Sequence, residues 1–215
     1  MHVHNVILTA LFSALIASSQ TTIAADSPFL IRYGANPQAG ESYINIVNTG
    51  ANGAPLLGPG FGGAAGNICV NVYAFAPDEQ LISCCSCLVT PNALVRLGVN
   101  ADLTTKTLTQ VIPNSVVVKL VSTLAGPNGS GTSCSQSAAV VTTATLTGGT
   151  VAWGTTLHSA PGGTTALTET PFTPATLSSA ELLSIGGRCA FILGNGSGFG
   201  VCNSCKAGGL GSLKQ

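Results

Sequence analysis

Short apolar runs with a two-residue period dominate the chain. In SYINIVN (42–48), Tyr43, Asn45 and Val47 alternate with Ile44, Ile46 and Asn48, the pattern of a strand with one buried face and one wetter face. Runs of the same kind, rich in β-branched residues, recur at FLIRY (29–33), ICVNVYAF (68–75), LISCCSCLV (81–89), ALVRLGV (93–99), SVVVKLVSTL (115–124) and AAVVTTATLT (138–147). Gly, Pro and Asn separate them. APDEQ (76–80) sits between two of the strongest runs, with Pro77 presetting a turn, and PNGSG (127–131) places Asn-Gly at another reversal. The pattern predicts an all-β fold, an antiparallel β-sandwich of jelly-roll or immunoglobulin-like type.

One helix is expected, near 177–186 (TLSSAELLSIGG). Ser178 and Glu181 have capping-box spacing, Leu182, Leu183 and Ile185 make an apolar face, and Gly186 is read as the stop. Two low-complexity stretches, 48–67 and 154–174, read as long surface loops.

The N-terminus changes the picture from fold to location. VILTALFSALIA (Val6 to Ala17) is an unbroken apolar run, too short to span a bilayer, and it leads through polar residues to the small residues of IAADS. This predicts a signal peptide over 1–25, with cleavage after Ala25 or Ala24, and a single secreted domain over 26–215 with no membrane span. All seven basic and all seven acidic residues fall after residue 25, so the exported part has no formal net charge. Charged residues make up 7% of the chain, against about 25% in an ordinary soluble domain. Such a chain lacks the basic stripe that nucleic acid requires and has little charge repulsion to oppose self-association.

The candidate chemistry is concentrated in sulfur. Cys69, Cys84, Cys85, Cys87, Cys134, Cys189, Cys202 and Cys205 are an even set, all beyond the signal segment, and outside the cytoplasm such a set oxidises to disulfides. Cys84 and Cys85 are neighbours in a strand and must face opposite ways, so each should reach a different partner. A hairpin turning at Pro77–Glu79 brings Cys69 opposite Cys87 or one residue out of register. The remaining partners fall to Cys134, Cys189, Cys202 and Cys205, which makes the cluster a staple between a strand and the C-terminal segment. A rival reading takes the two C-x-x-C pairs, Cys84 with Cys87 and Cys202 with Cys205, as four zinc thiolates. More than a hundred residues separate those pairs, and the metal leaves Cys85 unexplained. Thiol exchange at CNSCK is a further rival, but glycines flank it where a redox motif requires a helix N-terminus.

Acid–base machinery is sparse. His158, the one histidine after residue 25, lies in GTTLHSAPGG without a G-x-S-x-G elbow, and reads as an exposed loop residue. Asp78 and Glu79 are adjacent turn carboxylates. GNGSGFG (194–200) lacks the lysine and the strand–loop–helix setting of a phosphate loop and reads as a β-turn. No enzyme activity and no cofactor are expected. The remaining candidate for ligand binding is Trp153 with His158, with Tyr33, Tyr43 or Tyr73 able to extend Trp153 into a small carbohydrate platform.

The segments IRYGANPQAGESYINIVNTG and GNICVNVYAFAPDEQLISCCSCLVTPNALVRLGVNADL resemble a group of uncharacterised bacterial secreted proteins that share a SYINI-type strand and a YAFxPDEQ…CCxC block. The resemblance covers about residues 28–125 and the cysteine-bearing C-terminus. It implies a secreted protein whose cysteines belong to the fold, and it carries over no catalytic or binding residue. The expected function is that of a secreted structural or interaction protein of the cell surface or extracellular matrix, self-associating or bound to other surface proteins and capable of forming filaments. The alternative is a carbohydrate- or small-ligand-binding module, with polysaccharide as partner.

Overall fold

The computed structural model describes residues 27–54, 66–135, 137–198 and 200–202. The expected signal peptide, the greater part of the 48–67 loop and Cys205 lie outside them. Among the described residues no helix is long and apolar enough to cross a membrane.

Two β-sheets face each other. The six-stranded sheet contains β1 (Phe29–Ala35), β3 (Ile68–Phe75), β4 (Leu81–Val89), β6 (Ser115–Leu124), β9 (Thr173–Pro174) and β10 (Gly200–Val201), in the order β10-β4-β3-β6-β1-β9. The four-stranded sheet contains β2 (Tyr43–Asn48), β5 (Leu94–Gly98), β7 (Thr150–Ser159) and β8 (Thr165–Pro171), in the order β5-β2-β7-β8. Pairing is antiparallel except where β10 runs parallel to β4. The expected sandwich is therefore present. Its core holds Ile44 and Ile46 from β2 against Val70, Val72, Val118 and Leu120 from the facing sheet, all essentially buried. These are the apolar positions of the two-residue pattern, and burying each one contributes about 1.5–3 kcal/mol.

A third layer covers the outer face of the six-stranded sheet. Helix α1 runs from Ser179 to Gly194 and packs with segment 137–146 over Tyr73, Cys84 and Val121. Between the Ala74–Ser83 and Phe75–Leu81 pairs β4 carries one extra residue, Ile82, and this bulge reverses the side-chain parity of β4. Leu81 thereby joins Cys84 in the outer core, and Ile82 packs against the inner one.

Three expectations need correction. Residues 138–147 do not form a strand: they make short 3-10 turns at Ser137–Ala139 and Thr143–Thr145, with one isolated bridge from Leu146 to Thr123. The reason is that side chains of the sheet take their backbone groups. The Ala138 amide donates to Ser86 Oγ at 2.7 Å, and the Ala138 carbonyl accepts from Tyr73 Oη at 2.8 Å. The second correction is that 154–174 is not a loop, because β7 and β8 form a hairpin there. Alternation of Val151, Trp153, Thr155 and Leu157 with Ala152, Gly154 and Thr156 sets the strand, and the Thr- and Gly-rich composition hides it. Gly154 is part of that design: the Arg32 guanidinium lies across it, where a Cβ would collide, and donates to Thr156 Oγ1 and Thr170 Oγ1, linking the two sheets.

The third correction concerns the helix. Ser178 caps it as expected, accepting from the Glu181 amide at 3.1 Å, but Gly186 does not end it. Gly186 sits mid-helix because a Cβ there would lie 3.3 Å from the Ala139 carbonyl oxygen, so glycine permits the close approach of segment 137–141. At Gly187 a Cβ would meet nothing within 4 Å. Gly187→Ala is accordingly expected to stabilise the protein by about 0.5–1 kcal/mol and raise the melting temperature by roughly 2–4 °C. Gly186→Ala should gain less or lose, and thermal denaturation of the two variants checks the contrast.

Candidate functional site

The alternation of β4 distributes the cysteine cluster to two sides of one sheet. Cys84 points outward and is bonded to Cys189 on α1. Cys87 points inward and is bonded to Cys202, which follows β10. Cys69, on the outer face of β3, is bonded to Cys134. Cys85 also points inward, with its sulfur 3.3 Å from Cys202 Sγ. Cys85, Cys87 and Cys202 form a buried group whose sulfurs all lie within 4.8 Å of one another.

The staple reading thus holds: β4 is joined covalently to the helix on one side and to the C-terminal segment on the other. Cys69 stands opposite Leu88, one residue out of register with Cys87. One step in a strand turns a side chain to the other face, which is why Cys69 and Cys87 take different partners. The zinc alternative at Cys84, Cys87, Cys202 and Cys205 is overturned for the three described sulfurs. Cys84 is on the opposite face from Cys87, and Cys84, Cys87 and Cys202 are all in disulfides. GNGSGFG is the end of α1 followed by a turn and β10, where the β10 backbone pairs with Cys85 and Ser86.

Most described carboxylates serve the local backbone or a single ion pair. Both oxygens of Glu41 accept amides, from Asn100 at 2.9 Å and Ala101 at 3.0 Å, at the start of a π-helical segment, Val99–Thr104. Asp102 accepts from the Gly98 amide and Asp78 from the Gln80 amide. Glu181 pairs with Lys119 at 2.8 Å. His158 is not on a loop: it lies on β7, half-buried beside a polar cleft with Asn36, Gln38 and Asn114, and its Nε2 is buried without a hydrogen-bond partner.

Trp153 and His158 were expected to share a site, yet they are five residues apart on one regular strand and face opposite sides of the sheet. Trp153 instead belongs to the outer face of the four-stranded sheet. It stands directly opposite Asn45, which is itself opposite Arg96 on β5. The Arg96 guanidinium stacks 3.5 Å from the Tyr43 ring centre, one diagonal step from Trp153. Leu94, Trp153 and Leu167 are exposed on the same face. Tyr33 is exposed on the other sheet and Tyr73 is fully buried, so of the three tyrosines only Tyr43 extends a platform around Trp153. Sequence reasoning missed Arg96; the alternation of ALVRLGV puts it on the same face as Leu94 and was the signal that could have found it.

The comparisons find no relative. No family model matches the chain, and neither the curated proteins nor the solved structures yield a significant match. The reading of the site therefore stands on its own chemistry.

Non-reducing peptide mapping should recover Cys69–Cys134, Cys84–Cys189 and Cys87–Cys202. Replacing Cys84 and Cys189 together by alanine should cost about 2–5 kcal/mol in chemical denaturation. The Tyr73 hydroxyl is held well above its ordinary range, first by burial and then by the nearby Cys85 sulfur. An unfolded tyrosine ionises near pH ~10 while the folded one stays protonated, so the unfolded state sheds a proton first. Stability should be intact below about pH 10 and fall as the pH rises beyond it. Tyr73→Phe should flatten that alkaline fall and lose about 1–3 kcal/mol at neutral pH, because the Ala138 carbonyl loses its donor.

Proposed function

We propose that the protein is an exported structural or interaction protein of the cell surface or extracellular matrix, and that it associates through the edge and outer face of its four-stranded sheet. The observation that carries this reading is β8. All seven of its residues are exposed, among the described residues it pairs only with β7, and Glu169 is its one charged side chain. An exposed edge offers a row of backbone donors and acceptors to another strand, and it is ordinarily blunted by lysines, bulges or inward charges. Those guards are missing from TALTETP except for Glu169 and the terminal Pro171. The opposite edge of the same sheet is β5. Pairing β8 of one copy with β5 of the next continues the sheet head to tail, a contact that propagates into a filament when the rotation does not close.

Export is supported by the apolar N-terminal run and by the oxidised cysteines, since disulfides persist outside the cytoplasm. The absence of net charge removes long-range repulsion between copies. A second reading, recognition of a surface polysaccharide, is favoured by Trp153 beside Tyr43 and Arg96, because aromatic faces stack on sugar rings.

Sedimentation velocity over a concentration series, with negative-stain microscopy, tests the first reading. The oxidised protein should associate, and Leu167→Lys should shift it toward monomer without lowering its melting temperature. Monodisperse monomer at every concentration would overturn self-association. Binding to a glycan array that Trp153→Ala removes, in a protein that stays monomeric, would establish the second reading.

A further inference from the structure

The cleft between α1 and segment Thr107–Thr109 has features the sandwich itself does not require. We propose that it binds a small amphipathic monoanion, an alkyl chain ending in a carboxylate. The cleft measures about 640 Å³, within the roughly 300–1,000 Å³ typical of small-molecule sites. Leu81 and Ile82 at the start of β4 line it together with Leu108, Phe191 and Ile192. Leu108 and Phe191 are 49% and 67% exposed, two large apolar side chains left in water beside the cleft.

Three observations, two on α1 and one on the facing segment, point to a ligand of this chemistry. Gly187 lines the cleft, and glycine within a helix costs about 1 kcal/mol relative to alanine. Gly186 is explained by its close approach to Ala139, whereas no contact of the fold requires glycine at 187. Its lack of a side chain keeps the cleft open. Thr107, 6% exposed, lines the same space and has a buried hydroxyl with no hydrogen-bond partner. Arg188 supplies the charge: it lines the cleft and no Asp or Glu does, while Glu181 on the same helix is paired with Lys119. A carboxylate can pair with the guanidinium through two parallel hydrogen bonds while its alkyl chain lies along the apolar wall. One cation and neutral hydroxyls suit a single negative charge.

The cleft is also held in shape. The Gly198 amide donates to the Lys106 carbonyl at 2.6 Å, and Ser197 Oγ lies 2.6 Å from the Ile82 carbonyl oxygen and 3.2 Å from that of Lys106. The turn after α1 thus ties the 106–109 segment to β4, and a preformed site loses less entropy on binding.

Isothermal titration of the oxidised protein with dodecanoate, below its micelle concentration and at neutral pH, tests the assignment. Binding should saturate at one per chain, with dodecyltrimethylammonium weaker by roughly tenfold or more. Arg188→Gln should erase that preference. Gly187→Trp should abolish binding while leaving the melting temperature unchanged or higher, and Gly187→Leu replaces it if tryptophan lowers that temperature. The proposal is overturned if the wild type shows no saturable binding, if it takes anion and cation equally, or if a stably folded cleft-filling variant still binds. It also fails if the cleft-filling variant merely disperses an oligomer without any dodecanoate binding, since the occupant would then be a second copy of the chain.

Discussion

The two-residue period of β4 is the constraint on which the rest of the molecule depends. Consecutive side chains of a strand must leave on opposite faces, so Cys84 and Cys87 cannot serve the same layer. One draws α1 down onto the outer face; the other fastens the C-terminal segment against the inner core. The bulge at Ile82 completes the arrangement by turning Leu81 toward the helix. In the chain-entropy account, loops of 65, 105 and 115 residues each contribute on the order of 4–5 kcal/mol, a large fraction of the 5–15 kcal/mol by which a domain is ordinarily stable.

The two sheets are clothed unequally. The six-stranded sheet buries a polar row on its helix-covered side: Ser86 donates to Asn71, and Asn71 reaches Thr123. These groups, together with Tyr73, fix segment 137–139 over the sheet. The four-stranded sheet instead leaves Leu94, Trp153 and Leu167 facing outward, with Arg96 stacked on Tyr43. Recognition surfaces favour such Trp, Tyr and Arg groupings. Disulfides thus fasten a covering layer to one sheet, while the other leaves large side chains exposed on its outer face.

What could be read from the chain follows from how locally each feature is encoded. The strands at 68–75, 81–89 and 115–124 coincide with the expected runs because continuous β-branched apolar sequence states both period and boundary. The helix cap at Ser178 was legible because Ser and Glu three apart have one common use. The helix end was not, since Gly186 answers to Ala139, a neighbour distant in sequence. The same holds for 138–147, whose alternation is real but whose amide and carbonyl at Ala138 are taken by Ser86 and Tyr73. The β7–β8 hairpin was hidden by threonine-rich composition, although threonine is itself a good strand former. For the candidate site, the division of Cys84 from Cys85 could be argued from parity alone, but the identity of the partners required the third dimension.

Each of the three bridges joins a cysteine of β3 or β4 to one that follows by at least 65 residues. Were the chain exported N-terminus first, as proposed, Cys69, Cys84, Cys85 and Cys87 would emerge together, ahead of Cys189 and Cys202. Thiols that meet early in an oxidising compartment can pair with near neighbours, and such short-range pairings would differ from all three native bridges. For the exported protein proposed above, three bridges of such span would favour maturation by thiol–disulfide reshuffling over first oxidation alone.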